Sequence, residues 1–174
     1  MISDFLYMAE KFKMVGMIVV MVTLYYVVTL ALRPCIVVEN DANILYCFKL
    51  NADEEIALQY VHSVEKTVVI EKIGLVNNEL CIKEMLYQSF GAGLPFLVQQ
   101  GQFRIENDWF IINDINEKIT AISLRVSKNS KLTINYQGQA YNLYELIPDN
   151  SVVNIKSARY YDIFIADKIY RGIR

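Results

Sequence analysis

Histidine is all but missing from this 174-residue chain. His62 is the only one, and cysteine is limited to Cys35, Cys47 and Cys81, with no CxxC pair among them. A structural zinc site needs about four nitrogen or sulfur ligands, so the composition argues against a metal centre. An odd number of cysteines does not make a disulfide framework. A single Cys47–Cys81 bridge and a set of buried reduced thiols both remain open. A surplus of positive charge is also lacking: the formal net charge is −2, no basic patch or arm stands out, and nucleic acid is not an expected partner. Repeats, low-complexity tracts and linkers are absent, and the length leaves room for one ordinary domain. No cofactor is implied.

Hydrophobic residues, by contrast, make up 54% of the chain, a high share for a soluble protein. Much of the excess lies in residues 14–32, a run without charge whose only polar side chains are Thr23, Thr29, Tyr25 and Tyr26. At roughly 1.5 Å per residue, a helix of this length spans most of a hydrocarbon core of about 30 Å. Its valines and isoleucines do not oppose a helix in lipid, where a lone strand would leave its backbone unpaired. Arg33-Pro34 ends the run, because the residue before proline is disfavoured in a helix. Lys11 and Lys13 precede the span, whereas Arg33, Glu39 and Asp41 follow it. That asymmetry places the N-terminus in the cytoplasm and the rest of the chain outside, anchored to membrane lipid. Two other readings compete: a cleaved signal peptide, with Thr29-Leu30-Ala31 near a cleavage site, and a buried globular helix. The expected organisation is a short cytoplasmic N-terminus (1–13), a transmembrane helix (14–32) and an extracytoplasmic domain (38–174).

Beyond Pro34, short β-branched and aromatic runs recur with turn residues between them, which is an all-β signal. Strands are predicted at 44–50, 55–63, 67–76, 80–88, 102–106, 109–112, 119–126, 131–137, 140–146 and 152–156. Asn77-Asn78 and Gln137-Gly138 read as tight hairpin turns. The expected fold is mostly β, an antiparallel β-sandwich or small barrel. Residues 160–169 fit either a helix or a last strand.

Two segments could carry chemistry. In the first, Ile56, Leu58, Tyr60 and His62 share one strand face by period-two alternation, which directs His62 inward near the strand end. A polar turn, Ser63-Val64-Glu65-Lys66, follows. If the loop has an even residue count, the same face continues through Thr67, Val69, Glu71, Ile73 and Leu75, and Glu71 lies opposite Leu58. A carboxylate there needs a partner, a proton or a water-lined cavity. An odd loop would expose it. In the even register His62 and Glu71 stand about 13 Å apart at roughly 3.3 Å per residue, so they form no dyad, but a cavity between them could hold a small ligand. The second segment is Ser89-Phe90-Gly91-Ala92-Gly93-Leu94-Pro95. Its two glycines permit an anion-binding nest of backbone amides. It is neither a Walker loop nor a nucleophile elbow, and a structural bend is the plainer reading. Trp109, Arg104 and Arg125 are further handles, more typical of packing or surface roles.

At these segments the sequence resembles the DUF1850 family. The matching residues are Tyr60-Val61-His62-Ser63-Val64-Glu65-Lys66-Thr67, then Glu71, and Ser89-Phe90-Gly91-Ala92-Gly93-Leu94-Pro95, with Trp109 and Leu124-Arg125-Val126 similar further on. The resemblance implies an extracytoplasmic accessory role, since members are often anchored by an N-terminal span and encoded near TAXI-class tripartite ATP-independent periplasmic (TRAP) transporters. It supplies no reaction. If the family has a site, its motifs carry over as His62, Ser63, Glu65, Glu71, Ser89, Gly91 and Gly93.

The leading expectation is a non-enzymatic, membrane-anchored module that binds a small anionic ligand or a membrane transporter subunit. The alternatives are a hydrolase with His62 as base and Ser63 or Ser89 as nucleophile, which needs base and nucleophile within about 3 Å, and a purely structural transporter subunit.

Overall fold

A computed structural model of the chain describes residues 2–41, 43–51, 53–89 and 101–163. Two compact units result, one built on the N-terminal helix and one comprising Pro34–Ala158. The helix, α1 (Ile2–Ala31), runs without a break through the uncharged stretch. Glu10–Ala31 is long and apolar enough to cross a membrane, a test that a signal sequence also passes. Its threonines turn back on the helix: the Thr23 hydroxyl donates to the Val19 carbonyl at 2.8 Å and the Thr29 hydroxyl to the Tyr26 carbonyl at 2.8 Å. Neither hydroxyl needs a partner from outside, which suits an apolar surround.

The second unit is mostly β. Its strands are β1 (Pro34–Asn40), β2 (Asn43–Phe48), β3 (Glu55–Val61), β4 (Val68–Val76), β5 (Glu79–Tyr87), β6 (Gln102–Glu106), β7 (Trp109–Asn113), β8 (Glu117–Ile119), β9 (Ala121–Arg125), β10 (Thr133–Tyr136), β11 (Gln139–Asn142) and β12 (Val152–Arg159), with a short helix α2 (Leu143–Leu146). One sheet has the order β2-β1-β12-β9; the larger has β11-β10-β3-β4-β5-β7-β6, with β8 pairing β5 beside β7. Neither closes on itself, so the sandwich forms and the small barrel does not.

One apolar core joins the two sheets. Ile36, Val38, Phe48, Val153 and Ile155 come from the smaller; Ile56, Leu58, Ile73, Leu80 and Ile134 come from the larger. Aromatic rings stitch the sheets at one end, where Phe48 of β2 meets Tyr136 and Tyr141 edge-on with ring centroids 5.3 and 5.0 Å apart. A second cluster of Val69, Tyr87 and Ile112, flanked by Tyr60, Met85 and Phe110, lies toward the β5–β7 side of the larger sheet.

Among the described residues, three hairpins turn on two residues that both have positive φ: Asn77 and Asn78 (52° and 66°), Gln137 and Gly138 (49° and 79°), and Asn107 and Asp108 (49° and 64°). Positive φ at both positions is the signature of the type I′ turn, whose twist matches that of the flanking strands. The first two were expected at these residues. The third was not read from sequence.

Three boundaries differ from expectation. The β unit starts with β1 at Pro34, whereas the domain was expected from residue 38. Cys35, Ile36, Val37 and Val38 are all buried, so β1 has no polar alternation and in sequence merges with the apolar run before it. The single strand expected over 119–126 is two: β8 pairs with β5 of the larger sheet and β9 with β12 of the smaller, and the chain changes sheets at Thr120. Residues 140–146 divide into β11 and α2 because Leu143 and Ile147, four apart, are buried while Glu145 and Leu146 are exposed, a helical spacing. Of residues 160–169, the first four form a helical turn, and the remainder lie outside the described residues.

Candidate functional site

The register between β3 and β4 fixes the first segment. Val61 pairs with Val68, Tyr60 with Val69 and Leu58 with Glu71. The loop between the last ladder pair is thus even, and Glu71 lies on the inward face together with Val69 and Ile73. Its carboxylate has one donor among the described residues, the Tyr60 phenol, at 2.9 Å from Oε1. Burial pushes the Glu71 carboxyl above the usual glutamate range, and the Tyr60 hydrogen bond draws it partly back. The same burial, with the Glu71 charge and hydrogen bond added, pushes the Tyr60 phenol up. Tyr60 was not singled out from sequence as the partner of Glu71. Its diagonal position to Glu71 follows directly from the Leu58–Glu71 register.

His62 departs from expectation. The strand stops at Val61, and the imidazole caps the turn instead of continuing the inward apolar face. Its Nδ1 accepts the backbone N–H groups of Val64 (3.4 Å) and Glu65 (3.2 Å). An accepting Nδ1 places the ring proton on Nε2, leaving that nitrogen a donor. The backbone closes the loop as well: the His62 N–H donates to the Thr67 carbonyl at 2.8 Å and the Lys66 N–H to the His62 carbonyl at 3.0 Å. Lys66 takes a positive φ of 58°, and its ammonium donates to the Ser63 carbonyl.

This turn meets two other segments. The Ser89 hydroxyl donates to Glu65 Oε2 at 2.8 Å, so the start of the second motif is tied to the first across 24 residues of sequence. On the other side, the loop between β9 and β10 approaches the turn, with the Val61 N–H donating to the Ser130 carbonyl at 2.7 Å. Between turn and loop lies a cleft of about 480 Å³ lined by Val61 and by the polar residues His62, Ser63, Lys66, Ser127, Asn129 and Ser130. The loop is self-braced: the Ser127 N–H donates to the Ser130 hydroxyl and the Ser130 N–H to the Ser127 hydroxyl, at 3.1 and 3.0 Å. These serines were not anticipated; the polar run Ser-Lys-Asn-Ser between two strands was their only sequence signal.

The candidate residues therefore divide into groups. His62 and Ser63 line the cleft, and Glu65 with Ser89 buttresses the turn. Glu71 is held on the inward face by Tyr60. Gly91 and Gly93 lie outside the described residues. For the hydrolase reading, the Ser89 hydroxyl is directed to a carboxylate, and the Nδ1 of His62 is occupied by backbone N–H groups. The other handles are structural: Arg104 lies 3.7 Å from Glu84 and 3.5 Å from Glu106, and Arg125 donates to the Asn150 carbonyl at 2.7 Å. All three cysteines are free. The Cys47–Cys81 bridge is not formed, because the two lie on different sheets and Cys47 has Cys35 as its neighbour. Among the described residues, no cluster of His, Cys, Asp and Glu is arranged to hold a metal ion.

A family model described as domain of unknown function (DUF1850) matches residues 56–143, just over half of the chain. No curated protein and no solved structure matches.

Proposed function

We propose that this chain, which belongs to the DUF1850 family, is a membrane-anchored extracytoplasmic module that binds a small anionic ligand in the cleft between the His62–Lys66 turn and the Ser127–Ser130 loop. The reading rests on the cleft itself. At about 480 Å³ it falls within the roughly 300–1,000 Å³ typical of small-molecule sites. Its six polar lining residues include one charged side chain, Lys66. A carboxylate or phosphate would draw the Lys66 ammonium from the Ser63 carbonyl and take further hydrogen bonds from the Ser63 hydroxyl and the Asn129 amide. The Glu65–Ser89 bond holds the turn that presents these groups. The apolar helix, with Lys11 and Lys13 before it, supports an anchor whose N-terminus is cytoplasmic. An accessory role beside a TRAP-type transporter accords with such an arrangement: a tethered domain that meets anionic solutes outside the membrane.

The test is a thermal-shift screen of the full chain in mild detergent against C4 dicarboxylates, amino acids and inorganic phosphate. At least one anion should raise the midpoint, and Lys66→Ala should abolish the shift while leaving the unliganded midpoint within about 0.5 kcal/mol of stability, as befits an exposed side chain. A screen with no shift, or one that Lys66→Ala leaves intact, refutes the anion site. Placement is tested separately. Protease applied to intact cells should remove the β unit, and its survival would refute the extracytoplasmic reading.

A further inference from the structure

The β1–β2 ribbon holds two of the three cysteines side by side. Val37 pairs with Cys47 and Ile36 with Phe48. Alternation places Cys35 on the same face as Val37 and Cys47, diagonal to Cys47 across the ladder. The Cys35 S–H has two acceptors within reach, the Ala158 carbonyl at 3.3 Å and the Cys47 sulfur. Cys35 is fully buried, whereas Cys47 is only partly so. Lys49, on the same ribbon just beyond Cys47, adds a positive charge. The Cys35 hydrogen bond, aided by Lys49 and opposed by burial, pulls the Cys47 thiol down to about 7. Cys81 lies on the other sheet, 1% exposed, with its thiol directed to the Ile82 carbonyl.

We propose that Cys47 is a nucleophilic thiol and Cys35 its resolving partner, together forming a reversible exchange site for low-molecular-weight disulfides. The Cys47 thiolate attacks one sulfur of the small disulfide RS–SR. A Cys47–SR bond forms, the S–S bond breaks, and RS⁻ leaves with the electron pair and takes up a proton. The Cys35 thiol then attacks Cys47 Sγ, expelling the second RS⁻, which takes up the Cys35 proton. The protein has been oxidised by two electrons to a Cys35–Cys47 disulfide, and the small disulfide reduced to two thiols. Diagonal neighbours stand roughly 7–8 Å apart, beyond the roughly 4.4–6.8 Å that a disulfide spans without backbone movement. Closing the bond therefore draws β1 and β2 together, and the resulting strain makes it easy to reduce again. The site is independent of the proposed anion cleft.

The experiment uses the full chain in mild detergent, with peptide mass spectrometry to resolve the three cysteines. Iodoacetamide should label Cys47 ahead of Cys35 and Cys81, with a half-maximal rate near pH 7, against about pH 8.5 for an ordinary thiol. Cys35→Ala should move that midpoint toward the ordinary value. Oxidised glutathione should convert the wild type to a Cys35–Cys47 disulfide with no lasting adduct, and should leave Cys35→Ala with a stable glutathione adduct on Cys47. An ordinary pH profile at Cys47, or wild type that keeps both thiols free or retains the adduct, overturns the proposal. The wild-type profile and peptide map decide the matter even if Cys35→Ala fails to fold.

Discussion

Removing one hydroxyl tests the inward carboxylate most directly. Tyr60→Phe keeps the ring, and so creates no significant cavity, but deletes the 2.9 Å hydrogen bond to Glu71 Oε1. A hydrogen bond to a charged acceptor contributes about 1.5–3 kcal/mol and one between neutral groups about 0.5–1.5 kcal/mol. The cost of Tyr60→Phe should thus be ~1 kcal/mol larger where Glu71 is ionised than where it is protonated. The pH dependence has a definite sign. Burial raises the Glu71 carboxyl in the folded state above an unfolded value of about 4.3. Between those two values the folded state binds more protons than the unfolded state, so stability falls as pH rises, and the loss is complete above the folded value. Tyr60→Phe removes the interaction that restrains the shift and should steepen the loss. Glu71→Gln retains an acceptor for the phenol and removes the charge, so it should be close to neutral near pH 4, below the unfolded value of about 4.3, and stabilising near pH 8.

Denaturant unfolding of the full chain in mild detergent, followed by the fluorescence of Trp109, the only tryptophan, measures both variants at the two pH values. In the double mutant the two effects should not add, with a coupling of about 0.5–3 kcal/mol. A Tyr60→Phe cost that is the same at both pH values, or a Glu71→Gln variant less stable than wild type near pH 8, would refute the buried-carboxylate argument.

Two further predictions concern the backbone. Gly101, with φ at +99°, has no room for a side chain, since a Cβ there would stand 2.5 Å from the Asn113 carbonyl oxygen; Gly101→Ala should cost about 1–3 kcal/mol, seen as a lower unfolding midpoint together with faster amide exchange on β6. At the β4–β5 turn Asn78 has φ 66°, so Asn78→Ala should lose about 1–2 kcal/mol while Asn78→Gly stays within about 0.5 kcal/mol of wild type, an ordering read from the same unfolding curves.

How much of this was legible beforehand depends on whether the deciding interactions are local. The β4–β5 and β10–β11 turns were readable because asparagine and glycine tolerate positive φ wherever they occur. The Asn107-Asp108 turn has the same chemistry, but between Glu106 and Trp109 it looked like a gap between two short runs. Strand β1 escaped because both of its faces are buried, and a continuous apolar run that follows a long apolar helix in sequence carries no period of its own. The division of residues 119–126 at Thr120 depends on which sheet each half joins, and single-strand alternation holds no information about that.

The site shows the same boundary more sharply. Glu71 was expected opposite Leu58 only on the condition of an even loop, a condition the β3–β4 register meets, and an even loop transmits the face of β3 to β4 by counting alone. His62 was misplaced by the same counting. Alternation describes residues inside a ladder, and His62 is the first residue beyond it, where two unsatisfied backbone N–H groups in the turn compete for its ring nitrogen. A polar side chain at that position lowers its free energy more by accepting those donors than by entering an apolar face, where its own polar atoms would lose water without replacement. The Cys35–Cys47 neighbourhood and the Ser127–Ser130 wall of the cleft arise instead from pairings between elements that the sequence lists without stating which adjoin. In this β domain, then, strand faces could be counted from sequence, whereas the candidate site residues sit largely at strand ends and across ladders, where counting stops and tertiary contacts decide.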